Sequence, residues 1–240
     1  MSVLAFLIFN PFDAQASGQR KIQITIDHTK VAADLTNFPV YVNLANLTSN
    51  FWAWTSSGCG DIRVTSSDGT TEVPREVVTC DKTAKTGELW FKASSLSSSN
   101  DTTFYIYYGG IQTDYATNAT YGAQNVWDSN YKGVWHLKDG TTLSGSDSTS
   151  NTNNGTSHGS PSATSGQLDG AGNFSGSSDN LGITAISVNG VSYTISAWFN
   201  TPLPNSTCSG YCTLTRGSND HQVLVDPSHL LGTYNNACGY

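Results

Sequence analysis

Apolar and polar residues alternate along much of the first hundred positions. The runs Arg20–Ile26 and Phe38–Leu44 alternate strictly, which is typical of strands with one buried face. Pro39 suits the beginning or edge of a strand, because proline has no N–H for the ladder. Similar runs lie at residues 60–65, 73–78, 87–92 and 103–110. About six short strands in roughly ninety residues, with regular turn signals, predict a β-sandwich.

Composition extends this prediction to an all-β fold. Glutamate occurs only at Glu72, Glu76 and Glu88, and charged residues make up 12% of the chain. Ser, Thr and Asn take their place, and these residues favour turns and exposed strand faces over helix interiors. The net charge of −7 and the lack of a basic run exclude a nucleic-acid partner.

The first sixteen residues have two interpretations. Val3–Phe9 is apolar and Ala14-Gln15-Ala16 resembles a signal-peptidase site, although no Lys or Arg precedes the apolar run. A signal peptide over residues 1–16 and a secreted or cell-surface protein are predicted; the alternative is a buried first strand. No stretch reaches the ~20 apolar residues of a spanning helix, so no membrane span is expected.

The cysteines agree with export. A metal site at the Cys-x-x-x-Cys pair needs further ligands, and the nearest histidine is His221. Two disulfides with one cysteine left over are therefore predicted, the odd one being free to join a protein partner. The predicted disulfide cysteines are Cys59, Cys80, Cys208 and Cys212, and the odd one is Cys238.

The second half of the chain starts a new set of strands. Tyr131–Leu137, with Trp127 before it, is predicted to join an N-terminal module (17–122) to a second one (123–240). Residues 138–166 are almost devoid of apolar side chains and predict a long surface loop. The odd positions of 191–199 are apolar, which predicts a central sandwich strand with Trp198 on its polar face.

Two stretches resemble known families. Residues 20–122 resemble a bacterial domain-of-unknown-function module that commonly precedes a concanavalin A-like, laminin-G-like domain in exported proteins. Residues 127 to about 234 are similar to that concanavalin A-like lectin/glucanase superfamily, which implies a jelly roll as the second of two consecutive β-sandwiches. Such a jelly roll is usually longer than the remaining chain, so we expect a fragment or a shortened sandwich. The motifs are Phe38–Val40, Gly60–Arg63, Leu89–Phe91 and Tyr105–Gly109, then Gly133–Leu137, Asp147–Thr156, Asn173–Asp179 and Tyr193–Phe199.

Catalysis is not predicted. Glycosidases need two carboxyl groups roughly 5–9.5 Å apart, and the glucanase branch of the resembled superfamily usually supplies glutamates two apart on one strand. No glutamate follows Glu88, and no Gly-x-Ser-x-Gly elbow that follows a strand and opens a helix is predicted. His136 adjoins Trp135 in a predicted strand and is expected to be a packed or rim histidine.

Calcium is the expected cofactor, because carboxylate and amide oxygens are its ligands. The resemblance implies that laminin-G-like domains hold calcium near such loops. The alternative is an Asx-rich turn that bonds its own backbone, and the glutamate that completes an EF-hand is missing. The candidate ligands are Asp147, Asn151, Asn153 and Asp179.

The predicted function is that of an extracellular, non-catalytic carbohydrate-binding or adhesion protein. Its polysaccharide ligand is expected at Trp198, Asn200, Asp179 and Asn180, although core packing also explains Trp198. Trp52 and Trp54 would share a strand face and form a weaker second glycan platform, and burial in the core is the favoured alternative for them. The alternative is a surface-assembly role through Cys238 or an open sheet edge, and the third is a glucanase-like enzyme or glycosidase accessory.

Overall fold

The protein is all-β and falls into two compact units. The first comprises residues 1–153 and 163–172, and the second residues 154–162 and 173–240. This is a computed structural model, and it describes residues 7–12, 18–138, 142–168, 170–174, 178–183, 186, 192–200, 212–216, 221–226, 228 and 230–234.

The first unit contains two antiparallel sheets. One has five strands in the order β1-β2-β8-β4-β5, and the other has three in the order β3-β7-β6. One α-helix, α1 (Ser49–Trp54), and the 3-10 turns His28–Lys30, Leu44–Asn46 and Ala123–Asn125 connect them. The strands are β1 Leu7–Phe12, β2 Arg20–Ile26, β3 Leu35–Asn43, β4 Arg63–Ser66, β5 Glu72–Val73, β6 Arg75–Asp81, β7 Thr86–Leu96 and β8 Thr102–Tyr108.

The core lies between these sheets, in a sandwich-like arrangement. Each alternating run turns its apolar positions inward, and each such side chain contributes roughly 1.5–3 kcal/mol on burial. The strands predicted from period-two runs are thereby confirmed in this unit. Fully or almost fully buried residues include Ile22, Ile24, Ile26, Val40, Val42, Leu89, Phe91, Phe104 and Ile106.

The outer face of the three-stranded sheet is aromatic and acidic. Tyr41, Glu88 and Trp90 alternate with the inward apolar residues of β3 and β7, and Glu76 lies opposite Trp90 on β6. Residues 126–138 and 142–149 contact this face, through buried Val126 and Trp127 and through the contacts described below. The first compact unit therefore includes residues up to Asn153, and the module boundary after residue 122 stays a prediction.

The second unit contains short strands. β9 pairs with β12, and β13, β14 and β15 form a three-stranded antiparallel sheet. A ribbon of β10 and β11 has most of its residues in the first unit. A complete second sandwich stays a prediction. The strands are β9 Gly155–His158, β10 Ser162–Ser165, β11 Gly170–Asn173, β12 Asn180–Ile183, β13 Cys212–Arg216, β14 His221–Val225 and β15 Leu231–Tyr234.

The strand predicted at 191–199 is wrong for its described residues. Residues 192–200 form no strand, and Tyr193, Ile195 and Phe199 are 50%, 42% and 39% exposed. Period-two alternation yields a strand only where a neighbouring strand supplies hydrogen bonds and cover. The described part of the chain supplies neither to this stretch.

Two shorter predictions are also corrected. Trp52 and Trp54 do not share a strand face, because they lie on α1, where positions two apart point in different directions. Trp52 is 4% exposed and Trp54 is 53% exposed. The expected strand around Trp135 and His136 is also absent, since residues 131–138 are irregular and are held by side-chain hydrogen bonds instead.

The N-terminal apolar run includes a strand. The strand β1 (Leu7–Phe12) lies antiparallel to β2. Leu7 lies opposite Ile26, and Phe12 lies opposite Lys21. This backbone pairing agrees with the first-strand interpretation. The signal peptide and export stay predictions.

Candidate functional site

The strongest polar cluster of the first unit joins β6 and β7 to the segment that follows the sandwich. His136 Nε2 lies 3.3 Å from Glu76 Oε2, and His136 Nδ1 lies 3.3 Å from Glu88 Oε1. The His136 side chain is 10% exposed, and those of Glu76 and Glu88 are 9% and 2% exposed. One imidazole thus bridges two buried carboxylates.

Indole and hydroxyl groups complete this cluster. Trp127 Nε1 donates to Glu76 Oε2 at 2.8 Å, and Ser148 Oγ donates to Glu76 Oε1 at 2.6 Å. Trp90 Nε1 donates to Glu88 Oε1 at 2.6 Å. The rings of Trp90 and Trp127 also pack on His136, with centroids 5.9 and 5.7 Å away. Both carboxylates are therefore satisfied by protein donors, as buried charges must be.

The electrostatics of the cluster keep His136 charged. Burial lowers the pKa of its imidazole, but hydrogen bonds and charge from Glu76 and Glu88 outweigh burial and raise that pKa to about 9. At neutral pH the imidazolium donates from both ring nitrogens, one to each carboxylate. The cluster is an ion triad with two anions and one cation.

This arrangement ties β6 and β7 to the segment that follows the sandwich, and both carboxylates are engaged within it. General acid–base catalysis requires that the carboxyl group reach a substrate within hydrogen-bond distance. Glu76 and Glu88 direct their oxygens at His136, Ser148 and the indoles, in a buried location. Sequence reasoning missed the triad because its members are 12, 48 and 60 residues apart in the chain and carry no local motif.

The predicted calcium ligand Asp147 organises its own loop. Its Oδ1 accepts from the backbone N–H groups of Val134 and Thr149, both at 2.9 Å. Its Oδ2 accepts from Thr149 Oγ1 at 2.9 Å and from Asn153 N at 2.8 Å. A carboxylate has about four lone-pair sites, so a cation would have to displace these donors.

The other predicted ligands of that loop point elsewhere. Asn151 Nδ2 donates to Tyr131 O at 3.0 Å, and Asn153 Nδ2 donates to Lys132 O at 2.8 Å. Asp179 belongs to the second unit, where its Oδ1 accepts from Ser160 N at 2.8 Å. The loop contacts are those of the Asx-turn alternative, and calcium stays a prediction.

Of the predicted glycan residues, Asn180, Trp198 and Asn200 are solvent-exposed and Asp179 is half-buried. Asp179 and Asn180 lie at the start of β12, and Trp198 and Asn200 lie in the irregular stretch 192–200. Trp198 is 63% exposed. The core-packing alternative for Trp198 therefore does not hold in this structure, and its indole is accessible.

One predicted disulfide is confirmed. Cys59 is bonded to Cys80 on β6, and the two Cα atoms are 6.0 Å apart. Cys212 is also disulfide-bonded. The predicted partner Cys208 and the odd Cys238 lie outside the described residues.

A buried carboxylate next to this disulfide fixes one rim of the first sandwich. Asp61 Oδ1 accepts from Thr55 Oγ1, Ser56 N and Ser56 Oγ at 3.0, 3.0 and 2.7 Å. Its Oδ2 accepts from Gly109 N, just after β8, at 2.6 Å. Burial acts to raise the pKa of Asp61, but these hydrogen bonds outweigh it and keep that pKa below its usual value. The end of α1 is thus tied to the end of β8.

The same rim carries the exposed Trp54. The guanidinium carbon of Arg20 lies 3.9 Å from the centre of the Trp54 ring. Lys82 Nζ donates to Thr55 O at 2.6 Å and to Ala53 O at 3.4 Å, so its charge faces the C-terminal end of α1. Sequence reasoning paired Trp54 with Trp52 and missed both cations, because neither is a neighbour in the chain.

One potential metal-binding group occurs among the described His, Cys, Asp and Glu side chains. Asp27, His28 and Asp101 lie together on the surface of the first unit. His28 Nδ1 is 2.7 Å from Asp101 Oδ1, and Asp27 Oδ1 accepts from Thr29. The pKa values of both aspartates are lowered, chiefly by hydrogen bonds from Thr29 and His28. Their oxygens are already engaged as acceptors in a local turn.

Within the described residues, none of the helices has the length and apolarity needed to cross a membrane.

Residues 58–129 match the family described as Domain of unknown function (DUF2341). The match includes Asp61, both triad glutamates and Trp127, and it supports in part the resemblance seen over residues 20–122. No curated protein and no solved structure matches the chain. The concanavalin A-like resemblance of the later segment stays a prediction.

Proposed function

We propose that this chain is an extracellular, non-catalytic carbohydrate-binding or adhesion protein. The observation that carries the proposal is the exposure of aromatic side chains in 192–200, where Trp198 and Tyr193 are 63% and 50% exposed. An indole or phenol offers a flat apolar face and a polar edge at low conformational cost. A pyranose ring fits such a face with its C–H groups and reaches the edge with its hydroxyls.

Polar groups near this stretch in the chain suit the same ligand. Asn200 follows the aromatic residues directly, and the exposed Asn180 and the half-buried Asp179 belong to the same unit. Planar amides and carboxylates orient sugar hydroxyls by accepting and donating hydrogen bonds. If calcium takes part, we expect it to act through Asp179, because the oxygens of Asp147 already accept four hydrogen bonds.

The state of the acidic residues supports binding over catalysis. Glu76 and Glu88 share His136 in a buried triad. Their carboxylate oxygens therefore do not face a ligand in solvent. A hydrolase with these groups would have to break that triad to reach a glycosidic bond. The glucanase-like alternative therefore has no support from the described carboxylates.

Glycan retention of the full chain tests the proposal. Affinity electrophoresis through gels containing single polysaccharides should slow the protein on at least one glycan. Trp198→Ala should abolish most of that retardation, while Ile111→Ala should leave it unchanged. Ile111 is a suitable control because it is 97% exposed and lies in the first unit. Unretarded migration on every glycan, with calcium or with a chelator, would overturn the proposal.

The second candidate is surface assembly, and one observation favours it. Residues 192–200 alternate like a strand, yet the described part of the chain gives them no sheet partner. Such a stretch is able to pair with the edge of another chain. Light scattering and non-reducing gels would favour this role if they show oligomers that Ile195→Asp or Cys238→Ser dissolves.

A further inference from the structure

We propose that the rim of the first sandwich is a binding site for an acidic saccharide, such as a uronic-acid polymer, in which Trp54 stacks on the sugar ring and Arg20 and Lys82 hold its carboxylate. The site lies in the other compact unit from Trp198, and it rests on different residues. It deepens the proposed carbohydrate binding by naming a ligand class, and it stands or fails separately.

The first step of the argument is the exposure of Trp54. Its side chain is 53% exposed although its helical neighbours Phe51 and Trp52 are buried. The α1 helix therefore buries one aromatic face in the core and presents Trp54 on the other side. Gly109 brings the backbone against Trp54, since a Cβ built at Gly109 would lie 3.3 Å from Trp54 Cβ, and Gly109 has a φ of +76°. A side chain at position 109 would crowd Trp54 Cβ and strain the backbone.

The second step is the rigidity of the frame beneath the indole. Buried Asp61 ties Thr55 and Ser56, which follow Trp54, to Gly109 through four hydrogen bonds. The Cys59–Cys80 disulfide joins the next turn to β6. Fixing a contact residue before the ligand arrives reduces the entropy lost on binding. A rigidly held, solvent-facing indole is the form that a stacking platform takes.

The third step is the charge around the ring. Arg20 stacks on Trp54 at 3.9 Å and has no carboxylate partner in the described part of the chain. Its buried Nε also has no hydrogen-bond partner there. Lys82 contacts backbone oxygens on either side of Trp54 and likewise has no ion pair within the described residues. One cation on the indole and a second on the backbone next to Trp54 stand out in a chain of net charge −7.

These three features select the ligand. A planar guanidinium binds a carboxylate through paired N–H groups, and an ammonium adds charge without a fixed direction. The indole requires a flat apolar partner next to that carboxylate. A uronic acid has both, because its carboxylate is attached to a pyranose ring. A neutral sugar would leave both cations unused.

The experiment uses the full chain and one polymer in two charge states. Affinity electrophoresis should show binding to polygalacturonate, and little binding to the same polymer after methyl esterification, which removes the charge and keeps the ring. Trp54→Ala and Arg20→Gln should each weaken the affinity about tenfold or more. Ile111→Ala is the matched control, because Ile111 is exposed and takes no part in either proposed site, and its affinity for polygalacturonate should be unchanged.

Folding is checked by thermal denaturation. If Arg20→Gln does not fold, Arg20→Lys replaces it, since lysine keeps the charge but loses the planar group. Equal affinity of the wild type for the two polymers would overturn the proposal. So would unchanged affinity in Trp54→Ala, or equal binding of polyaspartate, which would indicate an acidic-peptide site. Loss in Trp198→Ala alone would support the proposed function at Trp198 and would overturn the site at Trp54.

Discussion

His136 determines how the first unit responds to substitution at the scale of single residues. Its imidazolium lies between Glu76 and Glu88, two buried carboxylates that would otherwise face each other. An ion pair of this kind adds little net stability compared with apolar packing, but removing one partner leaves an uncompensated buried charge. The triad therefore makes position 136 intolerant of substitution, and this intolerance does not require a catalytic role.

Replacing this histidine should destabilise the protein strongly. We expect His136→Gln to lower the free energy of unfolding by about 3–5 kcal/mol, because two buried carboxylates lose their cation. His28→Gln is the matched control, since His28 pairs with Asp101 at an exposed position and should change little. Urea denaturation followed by tryptophan fluorescence measures both. Equal, small effects would show that the triad contributes no more than the surface pair.

The triad also predicts a pH dependence. The pKa of His136 is raised from 6.5 to about 9 in the folded protein, so the folded state binds this proton more tightly than the unfolded one. Its contribution is complete below pH 6.5 and is lost as the pH rises through 9. At about 1.4 kcal/mol per pKa unit, the loss is on the order of 3 kcal/mol.

Urea denaturation of the wild type and of His136→Gln at several pH values checks this dependence. The wild type should lose stability between pH 6.5 and 9, and the variant should lack that loss. An imidazole resonance that titrates near its ordinary pKa of 6.5 in the folded protein would contradict the prediction.

Asp61 gives a second prediction at this scale. Asp61→Asn keeps the shape but places an N–H donor group toward Gly109 N, which donates to the carboxylate at 2.6 Å. We expect a loss of about 2–4 kcal/mol from the unmet buried donors and the lost charge. Asp34→Asn, on the surface, serves as the control in thermal denaturation. An unchanged melting temperature for Asp61→Asn would show that this carboxylate does not hold the rim together.

The disulfide is the clearest prediction at the scale of elements. Cys59 and Cys80 are separated by 21 residues and join the turn before β4 to β6. Closing a loop of that length stabilises a protein by about 3 kcal/mol, mainly by restricting the unfolded chain. The double variant Cys59→Ala/Cys80→Ala should show that loss in urea denaturation, without a reductant. Wild-type protein treated with a reductant should show at least that loss, since the reductant also opens the disulfide of Cys212. Unchanged stability in both would contradict the prediction.

The elements also show which structure the sequence predicts. The strands around Ile24, Val40 and Phe91 follow from period-two alternation, because one face of each meets a core. The same rule fails at 192–200, where alternation is present and the described chain offers no neighbouring strand. It fails at α1 too, since Phe51, Trp52 and Trp54 carry no period that separates a short helix from a strand.

At the scale of the whole chain, the outer face of the three-stranded sheet explains why the first compact unit includes residues beyond 122. Alternation shows that Glu88 and Trp90 point away from the core, and this pattern usually indicates a solvated face. Only the fold shows that Trp127 and His136 return to cover it. Contacts between positions so far apart in the sequence leave no periodic signal, so neither the triad nor the Trp54 site could be predicted.

The last prediction follows from this cover. A fragment that ends at Gly122 lacks Val126, Trp127 and His136, so Trp90 and both triad glutamates lose their partners. Deleting one buried large aromatic side chain typically costs about 3–5 kcal/mol, and this deletion removes more. A fragment with the same start that ends at Asn153 keeps Val126, Trp127, His136 and Ser148, and should melt at a clearly higher temperature.

His136→Gln in the longer fragment is the matched variant, and its melting temperature should fall between those of the two fragments. Circular dichroism during heating measures all three. If the two fragments melt together, the sandwich is complete at residue 122 and the later segment is an attachment. If the longer fragment is the more stable, then a minimal folding unit needs residues from both sides of the predicted boundary, and the segment 126–149 belongs to the first unit in energy as well as in contact.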